Sequence, residues 1–590
     1  MNGWMGRALE VDLTSAACEL VETSESLRLL YVGGRGFGVR IVADRVAAGA
    51  DPLSPGNLLV FAPGPLTGTR TPTSGRHAVV SKSPLTGTIF DCNAGGDFGV
   101  AMKSAGLDYI AITGRAPSPV VLAIDGEQAS LEPANDLWGA NRSQVLEALS
   151  GRGSVACIGK AGEPPLAGGA PPGGRPTALI AAIMHGRGSA AGRGGLGAVM
   201  GSKLLKAIVV RGERKPTVAD EAAFARRLAD LSRLLIASPV SSKGLAQYGT
   251  AALVNLINYM RVMPTSNFRR AYFEPADAIS GETIAQTYNP RRTPCAACPI
   301  GCKRESGGRQ APEYETLAMF GPDNDNADLE TIFEANRLCN EYGLDTISAG
   351  AALACHAELE GKRLGGQEML DLVRQMGEGE GVGVELAQGT ARYAAARDNP
   401  DAAMQVKGLE LPGYDPRGAL GMALGYATSN RGACHLRAYM VGPEILGKPK
   451  LIDRTSWHAK SWLVALAQNI FTAVDALVVC KFALFSVGEE ELANLLSAVT
   501  GVDYPSESLL RVGERIWNLE RLFNLREGFG AGDDTLPLRF FTEDSDERTR
   551  HIDRAEFQRV RAEYYDFRGW DAQGRPSAAK LRALGLEALR

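Results

Sequence analysis

Three cysteines, Cys295, Cys298 and Cys302, stand in a Cys-x-x-Cys-x-x-x-Cys run, and a fourth, Cys480, lies far downstream in Asp475-Ala-Leu-Val-Val-Cys480. A [4Fe–4S] cubane takes four thiolates set tetrahedrally, so a tight loop can supply three and a distant segment must fold back with the last. Pro294 and Pro299 suit such a loop. Zinc is the competing reading, because close-spaced cysteines also build tetrahedral sulfur sites. A zinc site would usually bring a second close pair or a histidine, whereas Cys480 stands alone. A radical-SAM cluster would carry the longer gap first, and here it comes second.

Two glycine-rich loops, Cys92-Asn93-Ala94-Gly95-Gly96-Asp97-Phe98-Gly99 and Ala190-Ala191-Gly192-Arg193-Gly194-Gly195-Leu196-Gly197, could bring bare backbone N–H groups against an anion. Neither fits a Walker loop or the dinucleotide fingerprint. Arg76, in Thr73-Ser-Gly-Arg76-His77, adds a guanidinium suited to bidentate phosphate contact. Taken singly, each is a tight β-turn. Taken with the thiols, they point to a cofactor with two phosphates and several ring heteroatoms.

The elements that must position these groups change character along the chain. Up to residue 212, short β-rich runs (Ala8–Leu13, Asn57–Phe61, His77–Ser81, Tyr109–Thr113, Val120–Ile124, Val155–Ile158, Ala207–Val210) alternate with Gly, Pro and Asp clusters. Gly162–Pro176 is too rich in Pro and Gly for a regular element and reads as a dispensable surface loop. After the polar hinge Arg211–Pro216, helical spacing takes over in Asp220–Ala237, Leu329–Tyr342, Ser348–Leu359, Ser456–Ala473 and Ser508–Asn524. A break at Leu411–Arg417 divides the helical part. The expected architecture is α+β: a β-rich domain over 1–212, a helical domain over 213–410 with three of the cysteines, and a helical domain over 411–590 with the fourth. No 20–50-residue repeat argues for a solenoid.

Composition narrows the function classes. A chain of 590 residues, 45% hydrophobic, with a net charge of −4, has no polybasic signature, so nucleic acid or an anionic membrane is not its partner. No apolar run approaches the roughly 18 residues of a membrane span, and the N-terminus lacks a secretory apolar region, so a cytoplasmic location is expected. Such a reducing compartment leaves cluster thiols available. The other six cysteines (Cys18, Cys92, Cys157, Cys339, Cys355, Cys434) read as small buried apolar residues.

Several stretches together carry a family resemblance. They are Gly34-Arg-Gly-Phe-Gly38, Ala62-Pro-Gly-Pro-Leu-Thr-Gly68, Gly75 to Gly87, Ala190 to Gly201, Pro294 to Cys302, Tyr414-Asp-Pro-Arg-Gly418 and Arg515 to Asn524. Through them the chain resembles the tungsten-containing aldehyde:ferredoxin oxidoreductases over essentially its whole length. The resemblance implies a β-rich saddle holding a bis-pterin tungsten (or molybdenum) cofactor, a magnesium ion bridging the pterin phosphates, one [4Fe–4S] cluster, and two helical domains as cover. It implies first-domain pterin contacts at Arg76, Asn93, Gly95, Ala190, Gly192 and Arg193. Leu344 and Asp345 correspond to contacts with one pterin and Asp475 with the other. Cys295, Cys298, Cys302 and Cys480 correspond to cluster ligands. Glu315 and His435 resemble the family's active-site acid and histidine, with Tyr414 a weaker candidate for orienting a carbonyl. His435 is expected to exchange protons near its reference pKa of about 6.5, and Glu315 to act as a base with a raised pKa.

Some positions depart from the family pattern. Ser189 replaces a basic residue, so a phosphate contact is lost or falls to Arg187; Asn340 replaces an aspartate; Val478-Val479 replaces Gly-Leu. Glu334 is followed by Arg337 rather than a histidine, which argues against a metal shared between subunits in an oligomer. The implied activity is oxidation of small aldehydes to carboxylic acids with water as oxygen source, releasing two electrons and, once the acid ionises, three protons. Without a Rossmann or flavin motif, the electrons should pass to a ferredoxin or to dedicated iron–sulfur and flavin subunits. The alternatives are an aryl-thioester ring-reducing subunit and a non-catalytic, zinc-stabilised assembly protein.

Overall fold

A computed structural model of the protein describes residues 2–165, 176–186 and 188–587. Most of the expected Pro/Gly loop, and Arg187 with its expected phosphate contact, lie outside the described residues. The architecture is α+β, with the two six-stranded sheets in the N-terminal part and, after it, mostly helices with two small sheets of three and two strands.

The first sheet is built from β1 (Arg7–Asp12), β2 (Ala17–Glu22), β3 (Leu59–Ala62), β4 (His77–Lys82), β5 (Ile89–Ala94) and β6 (Ile110–Thr113), in the order β2-β1-β6-β3-β4-β5. The second contains β7 (Val120–Asp125), β8 (Gln128–Pro133), β9 (Ser154–Ile158), β10 (Ile183–His185), β11 (Ser189–Ala191) and β12 (Leu205–Arg211), in the order β11-β10-β9-β12-β7-β8. Each sheet has one parallel pair, β1 with β6 and β12 with β7. All six residues of β4 are buried, as befits a strand covered on both faces. The edge strands β5 and β11 touch each other, so Asn93 and Ala190, read from the sequence as loop residues, lie instead on two neighbouring strands whose glycine-rich continuations form the loops.

Gly34-Arg-Gly-Phe-Gly38 opens a helix, Gly34–Arg45, that lies against this sheet. A Cβ on Gly38 would sit 2.2 Å from Val80 Cγ2, and one on Gly34 would sit 2.3 Å from Val478 Cγ2 and 2.5 Å from Asp475 O. The glycines therefore let one helix press on the sheet and on the segment that carries Asp475 and Cys480.

Among the expected helices, Glu221–Ala237 is N-capped by Asp220, which accepts from Ala223 N at 2.8 Å. Leu329–Tyr342 forms as expected, and Thr346–Leu359 and Ser506–Arg526 differ by a turn or less. The helix expected over Ser456–Ala473 runs instead over Lys460–Leu477, and so includes Asp475. It ends at Val478, which holds φ 62° in the left-handed region that favours glycine. That is the position where the resemblance leads one to expect Gly.

One expectation is corrected at the start of the Pro/Gly loop. Gly162 and Glu163 belong to the core: a Cβ on Gly201 would lie 1.8 Å from Gly162 O, and buried Glu163 pairs with Lys206 Nζ. Deleting the loop from Gly162 onward would strand a buried lysine.

Candidate cofactor pocket and redox site

Thr73 brings the four thiols to one place. Its backbone N–H donates to Ala297 O at 2.8 Å, inside the cysteine loop, and its carbonyl accepts from Cys480 N at 3.0 Å. Cys295, Cys298, Cys302 and Cys480 are all free, all part-buried, and all border one cavity of about 1800 Å³, its solvent-exposed part included. Burial and the neighbouring thiols push Cys302 well above its ordinary pKa. Arg76, part-buried, faces Cys480, Cys295 and Cys302.

The same cavity is lined by Arg76, Asn93, Gly95, Ala190, Gly192, Arg193, Asp345, Asp475, Glu315, Tyr414 and His435. Of the residues expected at the site only Leu344 is not among its walls; it is buried one residue earlier, its backbone bridged to Ala181. Arg76 donates to Asn93 Oδ1 and, at 2.9 Å, to Asn93 O. Arg193 is committed to protein acceptors: Asp345 Oδ2 at 3.2 Å, Ala433 O at 2.9 Å and Glu410 O at 2.7 Å. Asp345 caps Thr346–Leu359, accepting from Ile347 N at 3.1 Å and Ser348 Oγ at 2.7 Å.

Asp475 is the hub of a buried charge network. Its Oδ2 accepts from Arg35 at 3.2 Å, Arg437 at 3.1 Å and Lys481 at 2.7 Å. Arg437 also bonds both oxygens of Asp91, and Arg35 grips Glu520 through two 2.7 Å bonds. These cations hold the Asp475 carboxyl below its ordinary pKa against the cost of burial. Its Oδ1 is buried without a partner, as are Asn93 Nδ2, Arg431 Nε and Arg437 Nε. Buried polar atoms are rarely left unpaired, so this concentration of orphaned donors and acceptors fits a polar, ring-bearing ligand.

On the same cavity His435 Nε2 lies 3.3 Å from Glu315 Oε1. Glu315 Oε2 accepts from Gly413 N at 2.8 Å, while Glu315 Oε1 and His435 Nδ1 have no hydrogen bond. Burial raises Glu315 to about 8, and burial together with Arg193, Arg431, Lys481 and Arg437 holds His435 well below 6.5. The two are therefore neutral together at pH 7 rather than an ion pair. The expectation that His435 titrates near neutrality is corrected: the group poised there is Glu315. Tyr414, fully buried, stacks on Tyr314 at 5.0 Å and lies 5.6 Å from the His435 ring. Tyr439, Leu436, Leu253 and Phe482 complete an apolar wall.

Sequence reading missed Arg431, Arg437, Lys481 and Cys434. Cys434 is buried as expected but not apolar: Arg431 Nη2 donates to its Sγ at 2.8 Å, and the surrounding arginines lower its thiol to about 6. The crowding of charge in Arg431-Gly-Ala-Cys-His-Leu-Arg437 was the available signal. Glu334 pairs with Arg337 at 2.7 Å.

A thiol quartet beside a pocket of unpartnered polar groups and a neutral acid–imidazole pair defines a cofactor-dependent oxidoreductase. Family models for aldehyde ferredoxin oxidoreductase match residues 8–212 (N-terminal domain) and 227–586 (domains 2 and 3), and the chain belongs to that family. It is similar to the tungsten-containing aldehyde ferredoxin oxidoreductases of Pyrococcus abyssi (41% identity, 100% of each chain) and Pyrococcus furiosus (40% identity, 99% of each chain). Among solved structures, the active site complex BamBC of benzoyl coenzyme A reductase shares the fold. Its TM-score is 0.85 at 24% identity, covering 100% of this chain and 98% of that one. Among the described residues no helix is long and apolar enough to cross a membrane.

Proposed function

We propose that the protein oxidises aldehydes to carboxylic acids at a bis-pterin tungsten centre and passes the electrons through a [4Fe–4S] cluster held by Cys295, Cys298, Cys302 and Cys480. The observation that carries this reading is that the thiols, the expected pterin contacts other than Leu344, and the Glu315–His435 pair line one cavity. The names of the 40% identical relatives favour tungsten over molybdenum. The cluster reading is preferred over zinc because a close-spaced run of three cysteines is joined on one cavity by a single distant cysteine, with no second close pair.

When bound, the metal centre would supply a two-electron oxidant for the hydrated aldehyde. Asn93, Ala190 and Gly192 would hold the pterin phosphates and their magnesium, and Asp475 Oδ1 would accept from a pterin N–H. This chain's own residues handle the protons. The arrangement that satisfies both neutral groups has Glu315 Oε1–H donating to His435 Nε2, with the imidazole proton on Nδ1. Ionised Glu315 then takes a proton from water or the hydrate, as a base whose pKa lies close to working pH. The aromatic wall keeps bulk water from the pair, and Tyr414 backs the His435 ring. The electrons would leave to a ferredoxin or to iron–sulfur and flavin subunits, the first of which is in the relatives' names.

Anaerobically purified protein should reduce a viologen dye with simple aldehydes and should not oxidise the reduced dye with an aromatic acyl thioester. Oxidation of the reduced dye by the thioester, with no dye reduction by aldehydes, would replace this reading with ring reduction.

A further inference from the structure

Lys303 directly follows the last cysteine of the loop and lines the cavity. Its ammonium donates to Gly188 O and Ser189 Oγ, both neutral acceptors. Among the described residues no carboxylate pairs with it. An ammonium taken partly out of water and given only neutral partners is costly unless an anion completes its shell. The cavity wall around it is shaped for one. A Cβ on Gly192 would meet nothing within 4 Å, so the backbone there borders open space, and Ser189 Oγ lies 3.4 Å from where Gly96 would carry a Cβ. A Cβ on Gly95 would be tighter still, 3.0 Å from Arg76 Nη1 and 2.7 Å from Cys295 Sγ. Gln310 donates to Gly188 O at 3.3 Å and leaves its buried Oε1 unpartnered. Lys303 and Arg76 thus flank a glycine-lined concavity, one from the cysteine loop and the other from the first sheet.

We propose that Lys303 is a phosphate-binding residue of the cofactor site: it supplies from the cysteine loop the cation that residue 189 lacks, so that loop and cofactor phosphate share one lysine. The inference rests on the pterin reading above. It also makes retention of the pterin depend on a residue adjoining a cluster ligand.

The test compares Lys303→Gln, which keeps a donor for Gly188 O and Ser189 Oγ but no charge, with Lys303→Arg, each produced anaerobically with tungstate and dialysed at length. Tungsten and pterin per chain are read directly, with iron and the far-UV spectrum as controls for folding. Loss of one buried charge-assisted phosphate contact should lower tungsten and pterin in the Gln variant roughly tenfold while iron stays at the wild-type level. The Arg variant should keep most of both. Wild-type loading in the Gln variant, or equal losses in both variants, would overturn the inference alone. Wild-type protein without pterin would overturn the cofactor reading and this inference with it. If the Gln variant does not fold, Lys303→Met carries the same comparison.

Discussion

Glu315 and His435 show how one burial acts oppositely on two groups. Desolvation favours the neutral form of each, so it raises the acid to about 8 and drives the imidazole down, and the nearby arginines add to the second shift. As the proposed base, Glu315 would have to be ionised, so kcat/KM should rise with pH through an apparent pKa of about 8 and level off above it. Glu315→Gln should lose that limb and lower kcat/KM by roughly 10²–10⁴-fold, measured as dye reduction across pH. The same shift acts on the fold. With a folded pKa of about 8 against 4.5 unfolded, the stability Glu315 contributes is complete below 4.5 and is lost as pH rises through 8. Denaturant midpoints of wild type and Glu315→Gln should therefore diverge as pH climbs through that window. Parallel curves would contradict a buried, protonated Glu315.

At the scale of elements, the decisive piece is the end of helix Lys460–Leu477 and the turn after it. It delivers Asp475 to a nest of cations and Cys480 to Thr73 O within a few residues, while Gly34 fits under Val478. Cys480→Ser should accordingly lower tungsten as well as iron content; normal tungsten and turnover in that variant would contradict the coupling. Much of this element was legible in the sequence. The β-rich to helical switch and the helix Leu329–Tyr342 follow from apolar spacing, and the thiols from their own spacing. Three features were not. Ile89–Ala94 mixes Asp91, Cys92 and Asn93 into a buried strand, because its polar side chains point to a cofactor cavity and a charge network rather than to water. Gly34–Arg45 is buried over most of its surface and has no amphipathic period to read. The Arg35, Asp91, Arg437, Asp475 and Glu520 network joins residues hundreds of positions apart, and no short motif records such pairing.

At the scale of the whole molecule, that network fastens the N-terminal sheet to the C-terminal helices through the floor of the cavity. Arg35 reaches Glu520 at 2.7 Å and Asp91 at 3.3 Å with almost no exposure. Removing it would leave buried carboxylates short of a cation, so Arg35→Met should destabilise the protein by about 3–5 kcal/mol. The shift of the unfolding midpoint measures this, and a shift near zero would show that the network is not the fastening. Under the proposed function the layout would give the molecule a direction of flow: aldehyde chemistry at Glu315 and His435, and electron exit at the four cysteines on the same cavity. The most direct test is electron paramagnetic resonance of anaerobic protein frozen after addition of an aldehyde alone. The account predicts the signal of a reduced [4Fe–4S] cluster, absent in Cys480→Ser and slowed in Glu315→Gln. A cluster that dithionite reduces but aldehyde leaves silent would contradict it.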